Sequence, residues 1–123
     1  MKYIITKTKK LNGAQTIPGS KSETIRALVV ALLAEGKSEI KNFLNCEDTK
    51  AALKVLKDLG ASVTARKINQ VTIKSAGLPI KIKTNKINTG NSGITTRFIL
   101  PILGLREDND GPIIFDCGAQ MRE

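Results

Sequence analysis

TIPGSKSETIRALVVALLAEG, residues 16–36, holds two patterns in one run. Ile25, Leu28, Val29, Leu32 and Leu33 fall at i, i+3, i+4, i+7 and i+8, a single apolar stripe along an amphipathic helix. Gly36 is the expected stop of that helix. Ahead of the stripe stands Pro18-Gly19-Ser20-Lys21-Ser22, a turn crowded with donors. A helix entered this way leaves its first amide N–H groups without internal partners, and the positive end of its dipole adds to them, so the end is suited to an anion. Gly19 is expected to let a ligand approach the backbone, Ser20 and Ser22 to add hydroxyl donors, and Lys21 to add a full positive charge. Arg26 follows Ser22 by four residues, one turn along the same face, and its guanidinium can fork onto a phosphate or carboxylate. A plainer reading stands beside this one: Ser20 caps the helix, Glu23 completes an S-x-x-E capping box, and Lys21 is merely exposed.

Working outward, residues 3–6 and 15–17 read as short strands around the turn Asn12-Gly13. After the helix, residues 38–43 read as a strand. Glu47-Asp48-Thr49 opens a second helix, with both acids suited to the dipole; Ala52, Val55, Leu56 and Leu59 keep the helical spacing until Gly60 ends it. Residues 62–66 and 70–74 alternate apolar with polar side chains, as paired strands do, with Asn69 at the turn. A second cycle begins with a strand over residues 80–87 and continues with a helix over 94–105, in which Pro101 predicts a kink or an early stop. Gly111-Pro112 introduces a last strand over 113–116.

Between that strand and that helix lies Gly90-Asn91-Ser92-Gly93, a second turn with two glycines and with hydroxyl and amide side chains, followed by Thr95, Thr96 and Arg97. It matches neither the Walker loop nor the dinucleotide fingerprint, whose glycine spacings both fail here. Two donor-rich turns in consecutive strand–helix cycles suggest convergence on one ligand that carries two anionic groups.

The totals narrow the field. A length of 123 residues suits one domain with a real core. With 41% hydrophobic and 25% charged residues the chain is globular rather than disordered. Three Phe, one Tyr and no Trp leave the core to aliphatic side chains. The net charge of +9, with pI near 9.8, favours anionic partners. Scattered lysines and the scarcity of aromatic stacking platforms argue against a dedicated nucleic-acid function. Histidine is absent, and the two cysteines, Cys46 and Cys117, lack C-x-x-C spacing, which excludes the usual zinc sites and histidine-based triads. No signal peptide and no long apolar run occur, so a cytoplasmic location without a membrane partner is expected.

Pro18-Gly19-Ser20-Lys21-Ser22 with Arg26, residues 31–36, and Gly90-Asn91-Ser92-Gly93 with Arg97 resemble the 5-enolpyruvylshikimate-3-phosphate synthase family. The likeness runs in order across almost the whole chain and includes Asn42-Phe43-Leu44, Asp48 and Leu59-Gly60-Ala61. The sister family, which acts on UDP-N-acetylglucosamine, usually carries asparagine after the lysine; Ser22 argues against it. The resemblance implies transfer of the enolpyruvyl group from phosphoenolpyruvate to the 5-hydroxyl of shikimate 3-phosphate, with phosphate released and no metal or organic cofactor. It assigns Lys21 to both substrates and to catalysis, Ser22 and Arg26 to shikimate 3-phosphate, and Gly93, with Asn91 beside it, to phosphoenolpyruvate.

It also implies an α/β fold of repeated β-α-β-α-β-β units, here truncated. Residues 1–17 would belong to the family's other domain. Residues 18–123 would form a partial domain, with one complete unit at about 18–76 and part of a second at about 77–123. The family's enzymes are several times longer and place the active site between two domains, so this chain alone is expected to be inactive and the full-length enzyme monomeric. Their pattern continues after Met121-Arg122-Glu123 with Arg-Pro, whose arginine grips phosphoenolpyruvate. Ile94 stands where the family commonly has a small threonine, and Phe98 where it often has proline; both are expected to alter packing beneath the second turn. The rival readings are a small basic nucleic-acid-binding module and a non-catalytic interaction domain.

Overall fold

The computed structural model describes residues 2–67, 69–107 and 111–122. Helix α1 spans Lys21–Leu33 and buries Ile25, Leu28, Val29 and Leu32, the predicted stripe, with Leu33 half-buried at its end. Ser20 caps it: its Oγ accepts the Glu23 N–H at 3.3 Å. The helix stops at Ala34, before Gly36, because the chain has already turned extended. Strand β1 occupies Glu35–Lys41, and Gly36 lies inside it at φ +104°.

Helix α2, Glu47–Asp58, crosses over to β2, Ser62–Lys67, which turns back into β3, Gln70–Ala76. Gly60 closes α2 as expected. Its φ is +92°, and a Cβ there would overlap the Lys81 carbonyl oxygen, so two constraints ask for glycine at one position. The sheet order is β1-β3-β2, with both outer strands antiparallel to β3. Register runs from Glu35 opposite Ala76 to Lys41 opposite Gln70, and Val63 stands opposite Ile73. Exposed Glu35, Lys37, Glu39 and Lys41 alternate along β1 with less exposed residues, while α1 packs on β1 and β3 and α2 on β2.

The second cycle has β4, Lys86–Asn88, then α3, Gly93–Ile102, a 3-10 turn at Leu103–Leu105, and β5, Ile114–Asp116, parallel to β4. The strand expected over 80–87 is only its last part. Ile80 is buried, yet it makes a single bridge to Arg106 rather than a ladder. Helix α3 runs through Pro101 and ends at Ile102, short of the expected 105, where the chain tightens into the 3-10 turn.

Residues 2–20 form no strand, so the pairs read around Asn12-Gly13 are corrected. Ile4 is 96% exposed and Leu11 89% exposed. Strand-forming composition beside a turn does not make a strand, because the hydrogen-bonding ladder needs a neighbour. Between residues 18 and 76 the order is therefore α-β-α-β-β, without an opening strand. One aliphatic cluster joins both cycles, with Ile25, Leu28 and Leu32 of α1, Val55 and Leu56 of α2, Ile73 of β3, Ile87 of β4 and Ile99 of α3 all buried.

Candidate functional site

The first turn is fixed by the segment after β1. Asn42 has φ +54°, and its carbonyl oxygen sits where a Cβ on Gly19 would have to go. Gly19 is thus required for close packing of two backbones, which corrects the expectation that it clears room for a ligand. Thr24 Oγ1 accepts the Leu44 N–H at 3.3 Å. Thr49, fully buried, accepts the Cys46 N–H at 3.0 Å and donates to the Leu44 carbonyl at 2.6 Å. These bonds bring the start of α2 alongside the start of α1. Lys21 Nζ then lies 3.3 Å from Asp48 Oδ2. In the sequence Asp48 reads as a helix-dipole acid; a pairing with a lysine 27 residues away leaves no local signal.

The second turn is held from both sides. Gly90, at φ +58°, donates its N–H to Asn88 Oδ1 at 2.8 Å, and its carbonyl accepts the Gly118 N–H at 2.7 Å. Asn91 Oδ1 occupies the place a Cβ on Gly118 would take, so a side chain there would push the Asn91 amide aside. Ser92 caps α3 by accepting the Thr95 N–H at 3.4 Å, and the two buried hydroxyls bond each other at 2.8 Å. Thr89 and Thr96 are likewise joined at 2.7 Å. The hydroxyls of this turn therefore serve the fold, whereas its backbone and Asn91 remain at the surface.

Residues 117–122 brace the same turn. Asp116 ends β5 and accepts the Cys117 N–H at 2.9 Å and the Arg122 guanidinium at 2.8 and 2.9 Å. The Cys117 amide, followed by Arg122, holds the Asp116 carboxyl below its ordinary 3.8. Met121 thereby sits against Gly93: a Cβ on that glycine would meet its Cε at 3.4 Å.

Two concavities collect the candidate residues. A cleft of about 440 Å³ runs between the start of α2 and the second turn, with Asp48, Lys54, Gly90, Asn91 and Ser92 among its walls. A hollow of about 520 Å³ is lined by Arg26, Gly93, Ile94, Arg97 and Phe98. Arg26 and Gly93, from the two glycine-bearing segments, thus share one hollow, and Lys21 is tied through Asp48 to the cleft that holds Asn91. Ser22, half-buried beside Lys21, lines neither. Among the described residues no carboxylate pairs with Arg26 or Arg97. The Arg26 guanidinium carbon instead lies 5.9 Å from the centre of the Phe98 ring.

The family model for EPSP synthase (3-phosphoshikimate 1-carboxyvinyltransferase) matches residues 5–123. The chain belongs to the EPSP synthase family. Among curated relatives, the 3-phosphoshikimate 1-carboxyvinyltransferase of Acetivibrio thermocellus is 41% identical over 114 residues, covering 93% of this chain and 26% of that protein. Its namesake from Petrotoga mobilis is 38% identical over 104 residues, covering 84% of this chain and 24% of that one. A solved EPSP synthase from Acinetobacter baumannii superimposes with a TM-score of 0.76 at 30% identity, covering 87% of this chain and 24% of that chain. The chain therefore spans about a quarter of the length of the EPSP synthases it matches.

Proposed function

We propose that this chain supplies part of the site at which an EPSP synthase transfers the enolpyruvyl group from phosphoenolpyruvate to the 5-hydroxyl of shikimate 3-phosphate, in the shikimate route to aromatic amino acids. The observation that carries the reading is the position of Lys21. It opens α1, lies 3.3 Å from the Asp48 carboxylate in the first turn of α2, and through it is tied to the cleft walled by the second glycine turn.

Both substrates carry a phosphate and a carboxylate, so bringing them together means overcoming repulsion between like charges. Backbone donors and cations at helix starts lower that repulsion. The Lys21–Asp48 pair is half exposed on the lysine side, and such pairs contribute roughly 0–1 kcal/mol, so an incoming phosphate can take over the ammonium. In the proposed reaction the methylene carbon of phosphoenolpyruvate gains a proton and the shikimate 5-oxygen bonds to the neighbouring carbon as the hydroxyl proton leaves. Phosphate then departs from the tetrahedral adduct, and loss of a methyl proton restores the double bond. Lys21 neutralises charge on both substrates, Ser22 and Arg26 hold shikimate 3-phosphate, and Gly93 with Asn91 borders phosphoenolpyruvate. The opposite wall of the site comes from the second domain of the full-length, monomeric, cytoplasmic enzyme, so the chain alone binds without turning over.

Titration calorimetry with shikimate 3-phosphate tests the reading. Lys21→Ala is expected to weaken binding at least about tenfold, the scale of a lost charge-assisted contact. Equal affinity in the two proteins defeats it. Binding to nucleic acid that falls steeply with salt and ignores Lys21→Ala would favour the basic-module reading instead.

A further inference from the structure

We infer that Phe98 is a positioning residue for Arg26, so that an aromatic ring on α3 sets how tightly the α1 arginine holds a phosphorylated substrate. The inference rests on the proposed role of Arg26. Arg26 is exposed, and a free arginine at a surface samples many rotamers. Among the described residues no carboxylate holds it. What it has is the face of Phe98, 5.9 Å from guanidinium carbon to ring centre, within the range where the ring quadrupole attracts a cation.

Phe98 is half-buried and packs against the core, so the ring is the fixed member of the pair and the guanidinium the adaptable one. Among the described residues the Arg26 guanidinium makes no hydrogen bond or ion pair, so its N–H donors remain available to fork onto a phosphate while the ring holds the cation near. Phe98 lies one helical turn after Ile94, and Arg26, Gly93, Ile94, Arg97 and Phe98 border one hollow, so the ring places the α1 arginine next to the second glycine turn.

The test is affinity for shikimate 3-phosphate in a double-mutant cycle. Phe98→Leu, which keeps an apolar side chain but removes the ring, is expected to weaken binding about 2- to 5-fold. Phe98→Tyr is expected to bind as the parent does. In an Arg26→Gln background, Phe98→Leu is expected to have no further effect, an outcome that a merely structural role would not produce. Full additivity of the two substitutions, or unchanged affinity in Phe98→Leu, overturns the inference while leaving the Lys21 reading intact. Should Phe98→Leu not fold, the ligand-free parent decides: nuclear Overhauser contacts between the Arg26 side chain and the Phe98 ring are expected, and their absence overturns the inference. Failure of the parent chain to bind shikimate 3-phosphate overturns the site reading and this inference with it.

Discussion

Gly19 and Gly93 sit in equivalent-looking turns and answer to different masters. A methyl group on Gly19 would collide with the Asn42 backbone, which cannot move without disturbing the bonds that Thr24 and Thr49 make to Leu44. Gly19→Ala is therefore expected to lower the free energy of unfolding by about 1–3 kcal/mol, as overpacked cores do. On Gly93 the same methyl meets only the flexible end of Met121, at ordinary contact distance, and the backbone there is not left-handed. Gly93→Ala is expected to leave stability within about 0.5–1 kcal/mol of the parent, the range of a glycine-to-alanine change inside a helix. Yet it narrows the hollow shared with Arg26, and affinity for phosphoenolpyruvate is expected to fall. Urea unfolding and ligand titration on the two variants separate the cases; a folded, fully stable Gly19→Ala would show that the Asn42 backbone yields after all.

At the scale of elements, the end of β5 joins a strand to the segment that braces the second glycine turn. The Asp116 carboxyl, drawn below 3.8 by the Cys117 amide and then by Arg122, binds fewer protons folded than unfolded in the acid range. Its contribution to stability is thus complete above about 3.8 and disappears as pH falls through the lower folded value. A carboxyl-carbon NMR titration is expected to show an Asp116 midpoint under 3.8 that rises in Arg122→Ala without fully returning, because the Cys117 amide stays. A midpoint at the ordinary value in the parent would contradict the geometry. None of this was legible in sequence, where Asp116 and Arg122 are unremarkable polar residues. What was legible followed from period and caps: the stripe from Ile25 to Leu32 became α1, the acids at 47 and 48 opened α2, and the alternation after Ser62 became β2 and β3. The failures have physical reasons too. The apolar residues near the start of the chain have a strand's composition but no ladder to join. Ile80 is buried by a bridge rather than by a strand, and Gly36 reads as a helix stop although Ala34 has already left the helix. The two turns were found by their glycines and hydroxyls, but Asp48 beside Lys21 and Phe98 beneath Arg26 depend on tertiary contacts that no spacing announces.

For the whole molecule the decisive fact is that both cycles feed one core. Ile99, from the helix after the second turn, is fully buried in the same cluster as Ile25 and Leu28 of α1 and Ile73 of β3. If the two turns are to face a shared ligand, their helices must keep a fixed relation, and a single cluster is what can impose it. Small domains with one core unfold as a unit, so damage in one cycle should be felt in the other. Ile99→Ala removes most of a buried side chain and is expected to cost about 2–5 kcal/mol. Amide exchange locates that cost. Protection is expected to fall together in β1 and β3, on the first cycle's sheet, and in α3, where the substitution lies. Loss confined to α3, β4 and β5 would mean that the second cycle opens alone, and the alignment of the glycine turns would then have to come from the ligand.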